Sequence, residues 1–343
     1  MKRTLISATI MVLTTFAHAA EPIVDVLVGS QDANPVKQTS PSKLSYPFGM
    51  DFDASGNMII VEYKGGRIFK RNPAGELTHI GGLGRAGYEG DGGPVTKASF
   101  KDMHNVAIGP DGSLYISDHA NHAIRRVDRG GNVLTYAGGE AGFAGDGKTV
   151  KDAKFNMAIS VSVSPDKKYL LVADIKNRRI RRITLSSGRV ATIAGNGERG
   201  IPADGTNATV APLVDPRAAV YDSVGNLYIV ERGGNSLRVV DVEGRVRTVA
   251  GNGKKGKTDG IGSKATFNGP KHLAIDSAGA VYIADDNNHL IRCFDPKTEA
   301  VTTVLGAGEF KLNRPHGVQV HDGWLYIADS WNHRIVRLKL SLK

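Results

Sequence analysis

Val281-Tyr282-Ile283-Ala284-Asp285-Asp286-Asn287-Asn288-His289-Leu290-Ile291 decides the fold. Four apolar residues run without alternation into an acid. A polar turn follows, and then a second apolar strand begins. A strand that is apolar on both faces is covered on both sides. The same phrase recurs six times, with its apolar strand at Met58–Glu62, Leu114–Asp118, Leu170–Asp174, Leu227–Glu231, Val281–Asp285 and Leu325–Asp329. The acids Glu62, Asp118, Asp174, Glu231, Asp285 and Asp329 stand 56, 56, 57, 54 and 44 positions apart. Six residues after each acid lies an aliphatic: Ile68, Ile124, Ile180, Leu237, Ile291 or Ile335.

Repeats of this length, each too small to bury its own faces, predict an all-β ring of packed units: a six-bladed β-propeller of four-stranded antiparallel blades. A fourth strand ending in a small-residue turn follows each of repeats one to five, as in Thr192-Ile193-Ala194-Gly195 and Thr248-Val249-Ala250-Gly251. Repeat six lacks one. Val26-Leu27-Val28-Gly29 has the same character at the other end of the chain, so an N-terminal strand is expected to complete the last blade and close the ring.

Met1-Lys2-Arg3, the apolar run from Leu5 to Phe16 and Ala17-His18-Ala19 together read as a signal peptide over residues 1–19. Residues 20–343 are then the propeller, in the periplasm or secreted, with no membrane insertion after cleavage. Losing Lys2 and Arg3 lowers the formal charge from +10 to +8. The excess is scattered rather than striped, which with export excludes nucleic acid as a partner. Cys293, the single cysteine, permits no intrachain disulfide and reads as core packing. Arg178-Arg179-Ile180-Arg181-Arg182 reads as a solvated outer edge.

The turns Asn121-His122-Ala123, Asn288-His289-Leu290 and Asn332-His333-Arg334 resemble the Asn-His-Leu signature of NHL repeats. The resemblance spans roughly residues 22 to 340, is degenerate in repeats one and four, and implies the six-bladed fold. It does not choose between ligand-binding, protein-binding and enzymatic relatives. Because the Asn-His turns recur, they are expected to be structural, each held by the acid three positions before its asparagine, with the asparagine bonding its own backbone. Asp91-Gly92, Asp146-Gly147, Asp204-Gly205 and Asp259-Gly260 recur in the long loops and are likewise expected to be turns on the same face of the disc.

Function is sought where the repeat varies. The start of the innermost strand carries Phe48, His104, Ile159, Arg217, Lys271 and His316 in successive repeats. His104, Arg217 and His316 fall on alternate blades and are expected to face one another at the channel mouth. His104, Arg217, Lys271 and His316, with Trp331 on the rim, are the candidate ligand contacts. Their basic character suits a small anionic ligand, the other partner class being an envelope or extracellular protein. No cofactor is expected in that reading. The alternative is a metal-dependent lyase or lactone-type hydrolase using a divalent zinc or calcium, with His104 and His316 as ligands. Pro315-His316-Gly317 and Met103-His104-Asn105 are similar to strand starts that hold zinc in peptidyl-hydroxyglycine amidating lyase, an NHL-propeller enzyme. Arg217 stands where that resemblance would put a third histidine, and His272 is one residue out of register.

Overall fold

Every one of the six repeated strands is buried from end to end or nearly so, and each lies between two antiparallel partners. The computed structural model describes residues 23–29 and 44–340. The signal peptide read over residues 1–19 lies outside the described residues. Blade 1 runs through Pro47–Phe52, Met58–Glu62, Ile68–Arg71 and Leu77–Gly81, and the other blades repeat that order outward from the centre. The innermost strands of successive blades pack side by side, and that of blade 6, Pro315–His321, packs against that of blade 1. The ring is therefore a six-bladed propeller.

Closure uses the N-terminal strand, as expected. Val24–Val28 pairs antiparallel with Arg334–Lys339 as the outermost strand of blade 6. Three blades carry an addition. The two-residue strands Gly93–Pro94, Thr206–Asn207 and Gly260–Ile261 come from the loop preceding blades 2, 4 and 5 and pair with their fourth strands.

The repeated acid organises each blade. One oxygen accepts the backbone N–H that enters the inner strand: Lys101 to Asp118 and Asn313 to Asp329, both at 2.7 Å. Ser45 makes the same bond to Glu62. In blades 2, 3, 5 and 6 the other oxygen accepts from the turn asparagine three positions on, at 2.7 to 2.9 Å. The asparagines do not bond their own backbone. In blades 2, 3 and 5 their second N–H reaches a loop carbonyl, as Asn288 does to Gly256 at 2.6 Å. The residue after each of these asparagines is left-handed, with φ of 50° to 59° at His122, Arg178, His289 and His333. In repeats two, five and six its Nδ1 then accepts the N–H of Met157, Arg314 or Tyr46 in the next blade. The histidine is thus an inter-blade clasp.

A second repeated group underlies the acid. Arg125, Arg181, Arg238 and Arg292, seven residues after the acids of blades 2 to 5, are at most 1% exposed. Arg292 donates to Asp285 at 3.0 Å and to Asp259 at 2.6 Å, and lies 5.2 Å over the Phe267 ring. Arg125 joins Asp118 to Asp91, and Arg181 joins Asp174 to Asp146. Each Asp-Gly aspartate also holds the fourth strand, as Asp259 does Thr303 at 2.9 Å. Arg178–Arg182 is therefore not an outer edge. After the turn residue Arg178, the segment forms the third strand of blade 3 from Arg179 onward, between two partners, with Arg181 wholly buried.

Removing one partner of a buried charge pair costs about 3–5 kcal/mol. Arg292→Met is expected to lower unfolding free energy by about that much in urea titration, and Asp285→Asn similarly. Deleting Val24–Val28 is expected to unfold the ring at markedly lower temperature, since it uncovers a full sheet edge; an unchanged midpoint would refute closure by that strand.

Candidate functional site

The acid's neighbour builds the site. In each blade the chain leaves the buried acid into a turn at the channel mouth, and the next residue is free to vary: Tyr63, His119, Ile175, Arg232, Asp286 and Ser330. Four of these line a cavity of about 360 Å³ together with Phe48, His104, Arg217, Lys271 and Trp331. His316 lies directly behind, its ring 3.9 Å from Phe48 and 5.3 Å from His104. The five candidate residues read from the sequence thus gather at one place. Tyr63, His119, Arg232 and Asp286 were not among them, although the position after each acid varies as the strand starts do.

The cavity has two unlike sides. Blades 6, 1 and 2 supply rings. Tyr63, Phe48 and His316 stack in parallel, with centroid spacings of 4.4 and 3.9 Å and interplanar angles of 6° and 14°. His104 stands edge-on to this stack and packs 4.4 Å from His119. Trp331 is half-buried beside Phe48, with Arg314 4.8 Å over its face. Blades 4 and 5 supply cations. Lys271 pairs with Asp286 at 3.1 Å, and Asp286 also holds Arg314 at 2.6 Å. Arg217 is 7% exposed and forms no salt bridge among the described residues; its one polar contact is His316 Nε2 at 3.4 Å.

Burial dominates the protonation of the whole group. It drives His119 down to about 3 and holds His104 and His316 well below the usual histidine range, with the Arg217 charge adding to the effect. These rings are neutral at physiological pH. Burial also lowers Lys271 to about 8 and Arg217 to about 10. The site's positive charge therefore resides on Arg217 and Lys271, with Arg232 and Lys176 also in the lining, and not on its histidines. Three buried ring or guanidinium nitrogens without a hydrogen-bond partner among the described residues belong here: His119 Nδ1, Arg217 Nε and His316 Nδ1.

One level further in, Asn105 of blade 2 and His272 of blade 5 meet across the channel, Nδ2 to Nε2 at 2.7 Å. Burial holds His272 at about 4. The strands crowd at this depth: a Cβ on Gly317 would come 2.1 Å from the Phe48 carbonyl oxygen. His272 thus serves the bridge and does not join His104 and His316. No group of three histidine, cysteine, aspartate or glutamate side chains able to hold a metal occurs among the described residues. A dication between His104 and His316 would also meet the Arg217 guanidinium, so the donor set fits neither zinc nor calcium.

Among the described residues no helix is long and apolar enough to cross a membrane. The chain is 24% identical over 350 residues to NHL repeat-containing protein 2 of Gallus gallus, covering 88% of this chain and 48% of that protein. It spans 31% and 48% of the length of the first two curated relatives it matches. An auxiliary nutrient binding protein from Bacteroides ovatus superposes with a TM-score of 0.66 at 16% identity, over 93% of this chain and 76% of that one. Virginiamycin B lyase from Staphylococcus aureus superposes with a TM-score of 0.58 at 14% identity, over 94% and 100%. At these identities the superpositions establish the fold alone. The NHL repeat family matches at residues 267–294 and 312–338. Those matches fall on blades 5 and 6, so the chain carries NHL repeats within a six-bladed β-propeller.

Proposed function

We propose that this protein is an extracytoplasmic binding propeller that takes up a small anionic molecule in the cavity at its channel mouth. One observation carries the reading: Arg217 is a nearly buried guanidinium that lines the cavity and forms no salt bridge among the described residues, its nearest carboxylates, Asp215 and Asp286, acting on it only at longer range. Every other buried arginine of the repeat is neutralised by an acid, as Arg125, Arg181, Arg238 and Arg292 are. An unpaired buried charge is costly, and an anionic ligand offsets that cost. Lys271 adds a second cation at the same mouth, partly satisfied by Asp286. Neutral histidines and the aromatic wall supply hydrogen-bonding and apolar surface without further charge. The leader at residues 1–19 and the bacterial nutrient-binding protein of like fold support the extracytoplasmic placement.

The test is titration with acetate, succinate and inorganic phosphate, followed through the Trp331 indole resonance. Arg217→Gln is expected to weaken the best-bound anion at least about tenfold, the loss of a charge-assisted hydrogen bond. Binding by that variant as tight as by the native chain would refute the reading.

Acetate affinity is expected to be level between pH 6 and 7 and to fall between pH 7 and 9. The sign follows from Lys271: its ammonium is present below about 8 and lost above it, while Arg217 keeps its charge to about 10. Lys271→Met should bind acetate more weakly and without that decline.

A further inference from the structure

We propose that the anion is a planar aromatic carboxylate, bound with its ring against Tyr63 and its carboxylate at Arg217. The inference rests on the anion-binding reading above and adds the chemistry of the rest of the ligand. Tyr63 closes one end of the Tyr63–Phe48–His316 stack. Phe48 covers one face of its ring, and the ring lines the cavity. Its hydroxyl makes no hydrogen bond among the described residues, and it is half-buried rather than packed into the core. Phe48 and His316 are 2% and 3% exposed, so the inner part of the stack is fixed by packing. The outer ring is thus held at a set tilt on a rigid support.

Across the channel from blade 1 stands blade 4, whose Arg217 lines the same cavity as Tyr63. A ring seated on Tyr63 would direct a substituent towards the guanidinium. The cavity of about 360 Å³ is at the lower end of the range for small-molecule sites, which suits one ring and one acidic group. Blade 3 adds the apolar side chains Met157 and Ile175 to the lining. Asp215 also lines the cavity, and its charge repels a ligand with several acidic groups. A guanidinium favours a planar carboxylate, and aromatic side chains favour a flat π surface in offset or edge-on contact.

The experiment compares benzoate, cyclohexanecarboxylate and acetate on the mature chain, by the same titration, with Tyr63→Leu and Tyr63→Phe as variants. Benzoate is expected to bind roughly three- to tenfold more tightly than cyclohexanecarboxylate, the increment of one aromatic contact. Tyr63→Leu should remove that preference, and Tyr63→Phe should keep it. Equal affinity for benzoate and cyclohexanecarboxylate in the native chain would overturn the aromatic assignment and leave anion binding standing. A preference that survives in Tyr63→Leu would overturn the role of Tyr63. Failure of all three carboxylates and of phosphate to bind would overturn both this inference and the reading beneath it. Should Tyr63→Leu not fold, the native comparison and Tyr63→Phe still decide: loss of the benzoate preference in Tyr63→Phe refutes stacking on the ring.

Discussion

A carboxylate buried at the end of the second strand is the constraint on which the rest of this propeller depends. Each of the six acids is inaccessible to solvent. In each blade it ties the entry of the inner strand and an arginine of the third strand, and in blades 2, 3, 5 and 6 the turn asparagine as well. An ionised acid is tolerable at such depth only if every lone pair is engaged. That requirement explains why the unit is repeated with so little freedom. The acid cannot move without stranding an arginine, and in blades 2, 3 and 5 the arginine cannot move without releasing the Asp-Gly loop that holds the fourth strand of the same blade.

The network also shapes the channel mouth. Because the acid and its turn are fixed, the residue between them is presented to the central cavity at nearly the same place in every blade. The inner strand start is held by the same carboxylate. Two variable positions per blade therefore face one space on a rigid frame. The propeller spends its regularity on the frame and leaves these positions for chemistry: rings from blades 6, 1 and 2, cations from blades 4 and 5. Their difference from the structural arginines is energetic. Arg292 sits between two aspartates, whereas Arg217 forms no salt bridge among the described residues and its hydrogen-bond contact is a neutral histidine.

The same comparison separates structural histidines from those of the site. His122, His289 and His333 are left-handed turn residues that clasp neighbouring blades, and they recur because every blade junction needs a contact. His104 and His316 share a position that holds other residues in the remaining four blades, His119 is the one histidine at its own, and they make few bonds within the protein. Two of them keep a buried ring nitrogen without a partner. Three histidines drawn together elsewhere would suggest a metal. Here Arg217 holds the adjoining space with positive charge.

The sequence by itself determined the number of blades, the burial of their central strands and the closure of blade 6 by the N-terminal strand. These are consequences of local pattern: an apolar run of set length, an acid, a turn and a missing fourth strand. It also marked His104, Arg217, Lys271, His316 and Trp331 as positions where the repeat breaks. Tertiary structure alone decided how they are used. Arg181 looked like part of a solvated basic edge because its partners, Asp146 and Asp174, lie 35 and 7 residues away in the chain. Nothing local distinguishes it from Arg217, whose partner is absent. Whether a buried cation is neutralised depends on side chains that meet only when the ring has closed. The stacking of Tyr63 on Phe48 and His316, from the first blade and the last, depends on that closure in the same way.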